Sequence, residues 1–493
     1  AGLNQPLGVL VQDGKILVAG RDQITRLHDL NGDGEMDFYE CVTNQMQTVP
    51  GHNWVTCLHQ DDYDNLYFRA PVEGIVKFDS VADSLEILGN GLRHSNGMAA
   101  TRDGSIVFGT AQEGTWTPAT AIFEVGGGSY HGWNGPDDEF GKYGYDLPLC
   151  FVPRGVDFSA GELAFLPEDE RLGPLSNQIV GLSHGNCSHY LVLREELGDS
   201  SQGGVVPLPG DFLSGAHRLR FNSADGNLYV AGTSGWKSYA REIGSLQRIR
   251  YTGRPLDLPT AVETRENGLI IRFNTRLDPS SVNTKNIFCE QWNYIYNPGY
   301  GSAEFSTKVM KKSEDGEELP VEGHDPVPVK SVHLLEDGRS VFVEIPHLHP
   351  VMQFHAYSEF AAKADDVGAQ ARPFPSDIYY TIKQLGSPYV NIPGYAKVAK
   401  GPYADFPVRK PYPPDPRLVE QEKFSARRSA NAIQVEIEMH PGLKFIPNEI
   451  RVPPGRHIAL TVKNKDVNMH HNLVLLQPGN LQKIGEAATL LAN

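Results

Sequence analysis

Between residues 9 and 232 the chain repeats one short pattern. An apolar strand runs into a tight turn built on Asp-Gly, or on Asp followed by Asn, and a second apolar strand leaves it. The clear copies are VLVQDGKILVAG at 9–20, LHQDDYDNLYF at 58–68, MAATRDGSIVFG at 98–109 and LRFNSADGNLYVAG at 219–232. Asp-Gly supplies the positive-φ backbone that a tight hairpin needs. A fifth copy is read over 163–193. Successive copies lie about 40 to 60 residues apart, the rhythm of small sheets repeated around an axis. A β-helix or a stack of sandwiches would show shorter, more regular copies. The spacing therefore predicts an all-β chain. Its residues 1–255 form a β-propeller, six-bladed when complete, with one blade missing on the N-terminal side.

At 493 residues the chain exceeds what one core usually holds, and further modules are expected. The segment AVETRENGLIIRFNTRLDPSSV at 261–282 and the strand–Asp-Gly–strand segment at 331–348 suit an immunoglobulin-like β-sandwich over 256–386. Residues 387–430 are rich in Pro, Tyr, Lys and Arg and read as an extended linker. Strand patterns return over 431–493, too few residues for a complete small sandwich.

Composition narrows the function classes. Apolar residues are 40% and charged residues 21%, a globular balance. The net charge of -16, with no long basic stripe, argues against a nucleic-acid partner. No apolar run is long enough for a transmembrane helix. No signal peptide is visible, and Ala1 leads directly into a strand-like stretch. Cys41, Cys57, Cys150, Cys187 and Cys289 form no CxxC or CxxCH, so no haem-attachment motif is present. Their pairing stays open.

The sharpest local motif is DLNGDGEMDFYE at 29–40. Oxygen donors fall at loop positions 1, 3, 5, 9 and 12 as Asp29, Asn31, Asp33, Asp37 and Glu40. Gly34 takes the sharp-turn position and Glu35 offers its backbone carbonyl. This is the spacing of a twelve-residue calcium loop. Strand-like flanks favour a structural clip over a sensor pair.

Polar residues also recur in the turns that a propeller would gather on one face. They include His52, Arg69, Arg93, Arg218, Arg220, Trp236 and Lys237. Arginines there could grip an anionic planar cofactor or a sugar, and a tryptophan could stack on it. A histidine could take a hydroxyl proton as hydride leaves the same carbon. The alternative is that such arginines simply bond to neighbouring blades.

Two resemblances follow. The stretch LKFIPNEIRVPPGRHIALTVKNKD with NMHHNLVLL at 468–476 resembles cupredoxins of the azurin and plastocyanin type, here as the N-terminal part of the domain. That likeness implies a copper ligand at His471; the remaining ligands of a blue-copper site are absent before Asn493. The spacing from His52 to Tyr67 and the stretch GLRHSNG at 91–97 resemble soluble pyrroloquinoline-quinone (PQQ) sugar dehydrogenases and their sorbosone-dehydrogenase-like relatives. Within these the chain looks like multidomain proteins of planctomycete-type bacteria, on the blocks GPLSNQIVGLSHG at 173–185, QGGVVPLP at 202–209 and LRFNSADGNLYVAGTSGW at 219–236. The likeness implies His52 as catalytic base and Arg93 as a catalytic and cofactor-lining residue. The chain carries His94 where the family has Asn, and Asn53-Trp54 where it has a glycine pair.

The resulting expectation is a periplasmic or secreted redox protein. It would oxidise a sugar or alcohol with PQQ and pass electrons to a copper or haem domain, or to a partner such as a cytochrome c. The rival is a non-catalytic, calcium-stabilised propeller scaffold that binds glycans or protein partners in a multidomain assembly. The departures beside His52 and Arg93 favour the rival.

Overall fold

The computed structural model describes residues 2–12, 14–48, 54–133, 145–235, 237–312, 316, 318–364, 370–400, 432–440 and 444–465. The expected sites His52, Trp236 and His471 lie outside the described residues, as does the linker beyond residue 400. The chain forms two compact units, which are described separately.

The larger unit is essentially all-β. Its helical content among the described residues is two short 3-10 turns, Glu170–Leu175 and Thr284–Asn286. Sheet 1 is β1 (Gly8–Gln12), β2 (Lys15–Ala19), β3 (Ile24–His28) and β4 (Phe38–Thr43), paired in chain order. Sheet 2 follows the same plan with β5 (Thr56–Gln60), β6 (Leu66–Ala70), β7 (Gly74–Asp79) and β8 (Ser84–Asn90). Sheet 3 is β9 (Met98–Ala100), β10 (Val107–Ala111), β11 (Thr120–Glu124) and β13 (Cys150–Val152); the short β12 (Ser129–Tyr130) crosses back to pair in parallel with β8. Next come β14 (Ala160–Phe165), β15 (Ile179–Ser183), β16 (Ser188–Leu197) and β17 (Ser200–Pro207), which begin sheet 4, a sheet that later strands extend, then a three-stranded sheet 5 of β18 (Gly215–Asn222), β19 (Asn227–Thr233) and β20 (Gly244–Ile249).

The turn chemistry read from the sequence closes these hairpins. Asp61 accepts from the backbone N–H groups of Tyr63 and Asn65, from the Asn65 amide and from the Tyr67 hydroxyl. Asp225 does the same work for Asn227 and Tyr229. Each aspartate thus satisfies turn donors that would otherwise compete with the ladder. Apolar residues on both faces of the middle strands fill the space between sheets. Phe68, Ile75 and Phe108 are fully buried, and each such side chain contributes about 1.5–3 kcal/mol of transfer free energy.

Beyond residue 255 the strands do not stand apart from those before it. The larger unit continues with β21 (Pro259–Arg265), β22 (Gly268–Phe273), β23 (Ile287–Trp292), β24 (Phe305–Lys312), β25 (Glu318–Glu322) and β26 (Asp325–Pro326). It ends with β27 (Ser331–Leu334), β28 (Ser340–Glu344), β29 (Val351–Ser358), β30 (Ala361–Ala362), β31 (Arg372–Pro373) and β32 (Ser376–Ile382). One eight-stranded sheet runs β14-β15-β16-β17-β32-β29-β23-β26, joining strands from both sides of the boundary expected at 255/256. A core of Leu182, Leu191, Leu269, Val343, Phe354 and Ile378 likewise draws on both. Buried Glu195 on β16 locks the seam: it accepts from Gln202, from the Thr264 N–H and hydroxyl, and from the Tyr380 hydroxyl.

The second unit's described strands are β33 (Ile433–His440), β34 (Lys444–Ile446) and β35 (Ile458–Asn464), with β33 antiparallel to β34 and parallel to β35. All five cysteines are free thiols; Cys41 is exposed and the other four are buried.

Candidate functional site

Strands β1, β5, β9, β14 and β18 are spatial neighbours in chain order: β1 beside β5, β5 beside β9, β9 beside β14 and β14 beside β18. Backbone packs directly on backbone there. A Cβ on Gly97 would lie 1.9 Å from the Gly161 carbonyl oxygen, and one on Gly161 2.3 Å from that of Ala216. Only glycine fits at that separation, so the last residue of the 91–97 motif serves strand packing.

The loops and strands at this convergence hold a charged cluster. Glu162 on β14 is fully buried. It accepts from the Leu219 N–H at 2.8 Å and from Arg220 Nη1 at 2.5 Å, and His59 Nε2 stands 3.4 Å from its other oxygen. Burial pushes this carboxyl up, but Arg220, His59 and Arg218 together hold it down at about 2. Arg220 also donates to the carbonyls of Leu219, Val9 and Leu58. Arg218 donates to the carbonyls of Leu7, Asn96 and His217 and to the Asn96 side chain. The two arginines thereby tie sheet 5 to the chain around β1.

His217 stands beside them, its Nδ1 3.0 Å from the Asn96 amide nitrogen and its ring centroid 4.4 Å from that of His184. Burial, His184 and the charge of Arg218 drive its pKa down to about 3. Burial also lowers His184. Both are neutral imidazoles at physiological pH.

The other expected residues sit elsewhere. Arg69 on β6 is buried and donates to the carbonyls of Trp54 at 2.7 Å and Pro71; burial lowers its pKa to about 10. Arg93 donates to the Gln112 and Glu113 carbonyls and lies 5.0 Å over the Tyr300 ring. Glu113 in turn pairs with Arg154. Lys237 is exposed with φ +61°. Glu162, His217, Arg154 and Tyr300 were not singled out from the sequence. Glu162 lies in an ordinary strand pattern, GELAF, and only its complete burial marks it.

In the 29–40 loop, the Asp29 carboxylate accepts from the Gly32 and Gly34 N–H groups at 2.6 and 2.8 Å. The Gly34 bond leads in holding its pKa below the ordinary range. Asn31 and Asp33 cap the N–H groups of Asp33 and Glu35, and Asp37 accepts from the Leu30 N–H. Glu40 faces β3 instead, bonded to His28 Nε2 at 2.8 Å and to Arg26 at 3.1 Å. Among the described residues, no three His, Cys, Asp or Glu side chains are placed so as to hold a metal ion.

A second concentration of titratable groups lies on the eight-stranded sheet. Carboxylates and histidines alternate along it. Asp377 meets His355 Nε2 at 2.8 Å, and His355 Nδ1 meets Glu290 at 3.0 Å. Glu290 also meets His324 Nδ1 at 3.3 Å, and His324 Nε2 meets Glu304 at 2.7 Å. His355 stacks on Tyr379 and His324 on Trp292, both at 7° between planes. Burial alone would lower His355, yet Asp377 and Glu290 raise it above its ordinary value.

No family model and no curated protein matches this chain. Among solved structures, an oxidoreductase (glucose dehydrogenase) from Thermus thermophilus is 15% identical with a TM-score of 0.37, covering 50% of this chain and 97% of its own. A luciferin-regenerating enzyme is 11% identical, TM-score 0.34, over 50% and 77%. Regucalcin, a calcium-binding protein from Agrobacterium tumefaciens, is 10% identical, TM-score 0.27, over 55% and 83%. Likenesses this distant define neither family nor activity. The class that the strands themselves define is an all-β protein of successive antiparallel sheets. No helix among the described residues is long and apolar enough to cross a membrane.

Proposed function

We propose that this chain is a non-catalytic, calcium-clipped scaffold of the secreted or periplasmic type, binding glycans or protein partners within a multidomain assembly. The observation that carries the reading is how the expected cofactor-gripping arginines are used. Arg69, Arg93, Arg218 and Arg220 all direct donors at carbonyls, and Arg220 also at buried Glu162. Arg218 and Arg220, bonded through most of their N–H groups, have little left for an anionic cofactor.

The finer architecture belongs to the same proposal. Five strand groups with adjoining first strands, the fourth of them (β14–β17) continuing into the eight-stranded sheet, are tied from the last to the first by Arg218 and Arg220 and are read as propeller blades. The sheet of β21, β22, β28 and β27, sharing a core with the eight-stranded sheet, is read as one layer of a β-sandwich. Parallel pairing of β33 with β35 supports a cupredoxin-like start to the second unit. Copper at His471 stays part of the resemblance. Calcium is proposed for the 29–37 loop on the spacing of its oxygen donors Asp29, Asn31, Asp33 and Asp37, which here bond to the loop's own N–H groups.

One observation favours quinone-dependent oxidation as a second reading. His184 and His217 are neutral bases side by side next to Arg218. The test is reconstitution with calcium and the quinone, followed by dye reduction across sugars and alcohols. The scaffold reading expects no turnover above the blank. Turnover that Asp33→Ala or His217→Gln removes would overturn it. In the same preparation, calcium at a hundredfold excess over its Kd should stabilise the fold by about 2.7 kcal/mol; an unchanged melting temperature would remove calcium from the proposal.

A further inference from the structure

Where the chain leaves β20 and turns toward β21, residues 249–256 cross over the core and leave a cleft of about 230 Å³ beneath them. Its floor is apolar, with Leu172, Leu175 and Leu228 all buried. One buried polar side chain, His189, also lines it; the His189 Nδ1 has no hydrogen-bond partner among the described residues. Burial pushes that imidazole down to about 4, so it is uncharged at neutral pH. Two exposed arginines, Arg250 and Arg254, stand at the rim. In a chain of net charge -16, two cations over an apolar pit select for an anionic head on an apolar body.

We infer that this cleft binds a small monocarboxylate with an apolar tail. The tail would lie on Leu172, Leu175 and Leu228, and the carboxylate would meet Arg250 and Arg254. Size sets the class. A cavity of about 150 Å³ admits benzene, so the larger volume here suits a body of about eight or nine carbons. Arginine is the side chain that grips a carboxylate with two parallel N–H groups. The inference does not depend on the scaffold reading, because no residue of the inner-strand cluster takes part.

The test titrates the full chain with octanoate, octan-1-ol and acetate by calorimetry, for wild type and for Arg250→Gln/Arg254→Gln. Both arginines are exposed, so the variant should melt with wild type. Octanoate should bind saturably, at least tenfold more tightly than octanol or acetate, and the double variant should lose that tenfold while binding octanol as before. A second variant, Leu228→Trp, should fill the floor and weaken octanoate and octanol alike. Absence of saturable octanoate binding to the wild type, or octanoate binding untouched by loss of both arginines, would overturn the inference.

Discussion

The inner-strand cluster and the ladder on the eight-stranded sheet push the same residue type in opposite directions. At the inner strands His217 is crowded by His184 and Arg218, and its pKa falls to about 3. On the large sheet His355 sits between Asp377 and Glu290, and its pKa rises. Both are buried or nearly so, and burial by itself would neutralise both. The sign is set by which charges stand nearby. In the first region the repulsion of His184 and Arg218 adds to burial and outweighs the pull of Glu162, so His217 gains nothing by charging. In the second, His355 lies between two carboxylates, so charging it satisfies both contacts.

The largest expected effect tests the first region. Glu162→Gln keeps the shape but leaves Arg220 without its buried counter-charge. Breaking a buried pair by removing one partner costs about 3–5 kcal/mol. Arg220 is about a third exposed and keeps its carbonyls, which places the loss near the lower end. Urea unfolding would measure it. The pH dependence has a definite sign. Glu162 is depressed from 4.5 to about 2, so its contribution is complete above 4.5 and fades as pH falls toward 2. The variant should lack that acid limb. A variant within about 0.5 kcal/mol of wild type, in the range of ordinary surface changes, would mean that the carbonyls alone hold Arg220.

His355→Gln tests the second region with an intermediate effect. Hydrogen bonds to charged groups are worth about 1.5–3 kcal/mol each, and glutamine can replace one of the two, so a loss of about 1–2 kcal/mol at pH 6 is expected. The groups facing His355 are Glu290 from β23 and Asp377 and Tyr379 from β32, with His324 and Glu304 beyond Glu290. Because the folded pKa is raised, this stability is complete below the ordinary 6.5 and is lost as pH rises through the folded value. Wild type and variant should therefore converge once pH has risen past the folded value. His217→Gln should show no pH-dependent difference from wild type between pH 5 and 8. If imidazole NMR placed the His355 midpoint below 6.5, the contrast between the regions would collapse.

What the sequence revealed, and what it hid, follows the same division between local and distant causes. The hairpins at Asp61 and Asp225 were legible because turn donors, turn acceptor and strand pattern all lie within seven residues. The turn bonds of Asp29, Asn31 and Asp33 also span no more than five residues, whereas Glu40 bonds outside the loop. Its orientation depends on the β3–β4 register that sets it opposite Arg26 and near His28, and spacing alone does not contain that register. The arginines stood out as candidate cofactor grips, but Arg69 and Arg93 sit apart from Arg218 and Arg220, and the partners were not read. Arg220 meets Glu162 from 58 residues away and Leu58 from 162 away, and no periodicity carries such a pairing. The His355 ladder drew no notice because its members are spread over 304–377, brought into line only by β23, β29 and β32.

The smallest effect examines a contact between these two regions of sequence. Tyr300 follows the strand that bears Glu290 and reaches Arg93 near the inner strands, while Gly301 N–H donates to the Gly114 carbonyl and Trp116 N–H to that of Asn297. The phenol ring is about half exposed. Water therefore screens the cation–π attraction, which at such sites amounts to about 0.5–1 kcal/mol. Tyr300→Phe keeps the aromatic face and should stay within a few tenths of wild type, whereas Tyr300→Leu should lose about 0.5–1 kcal/mol. Combined with Glu162→Gln the losses should add, since separate partners share no coupling. Equal stability of the Phe and Leu variants would assign Arg93 wholly to its carbonyl acceptors, as in the inner cluster. Non-additivity with Glu162→Gln would show that the two charged regions communicate through the Arg93–Asn96 segment, whose last residue bonds Arg218.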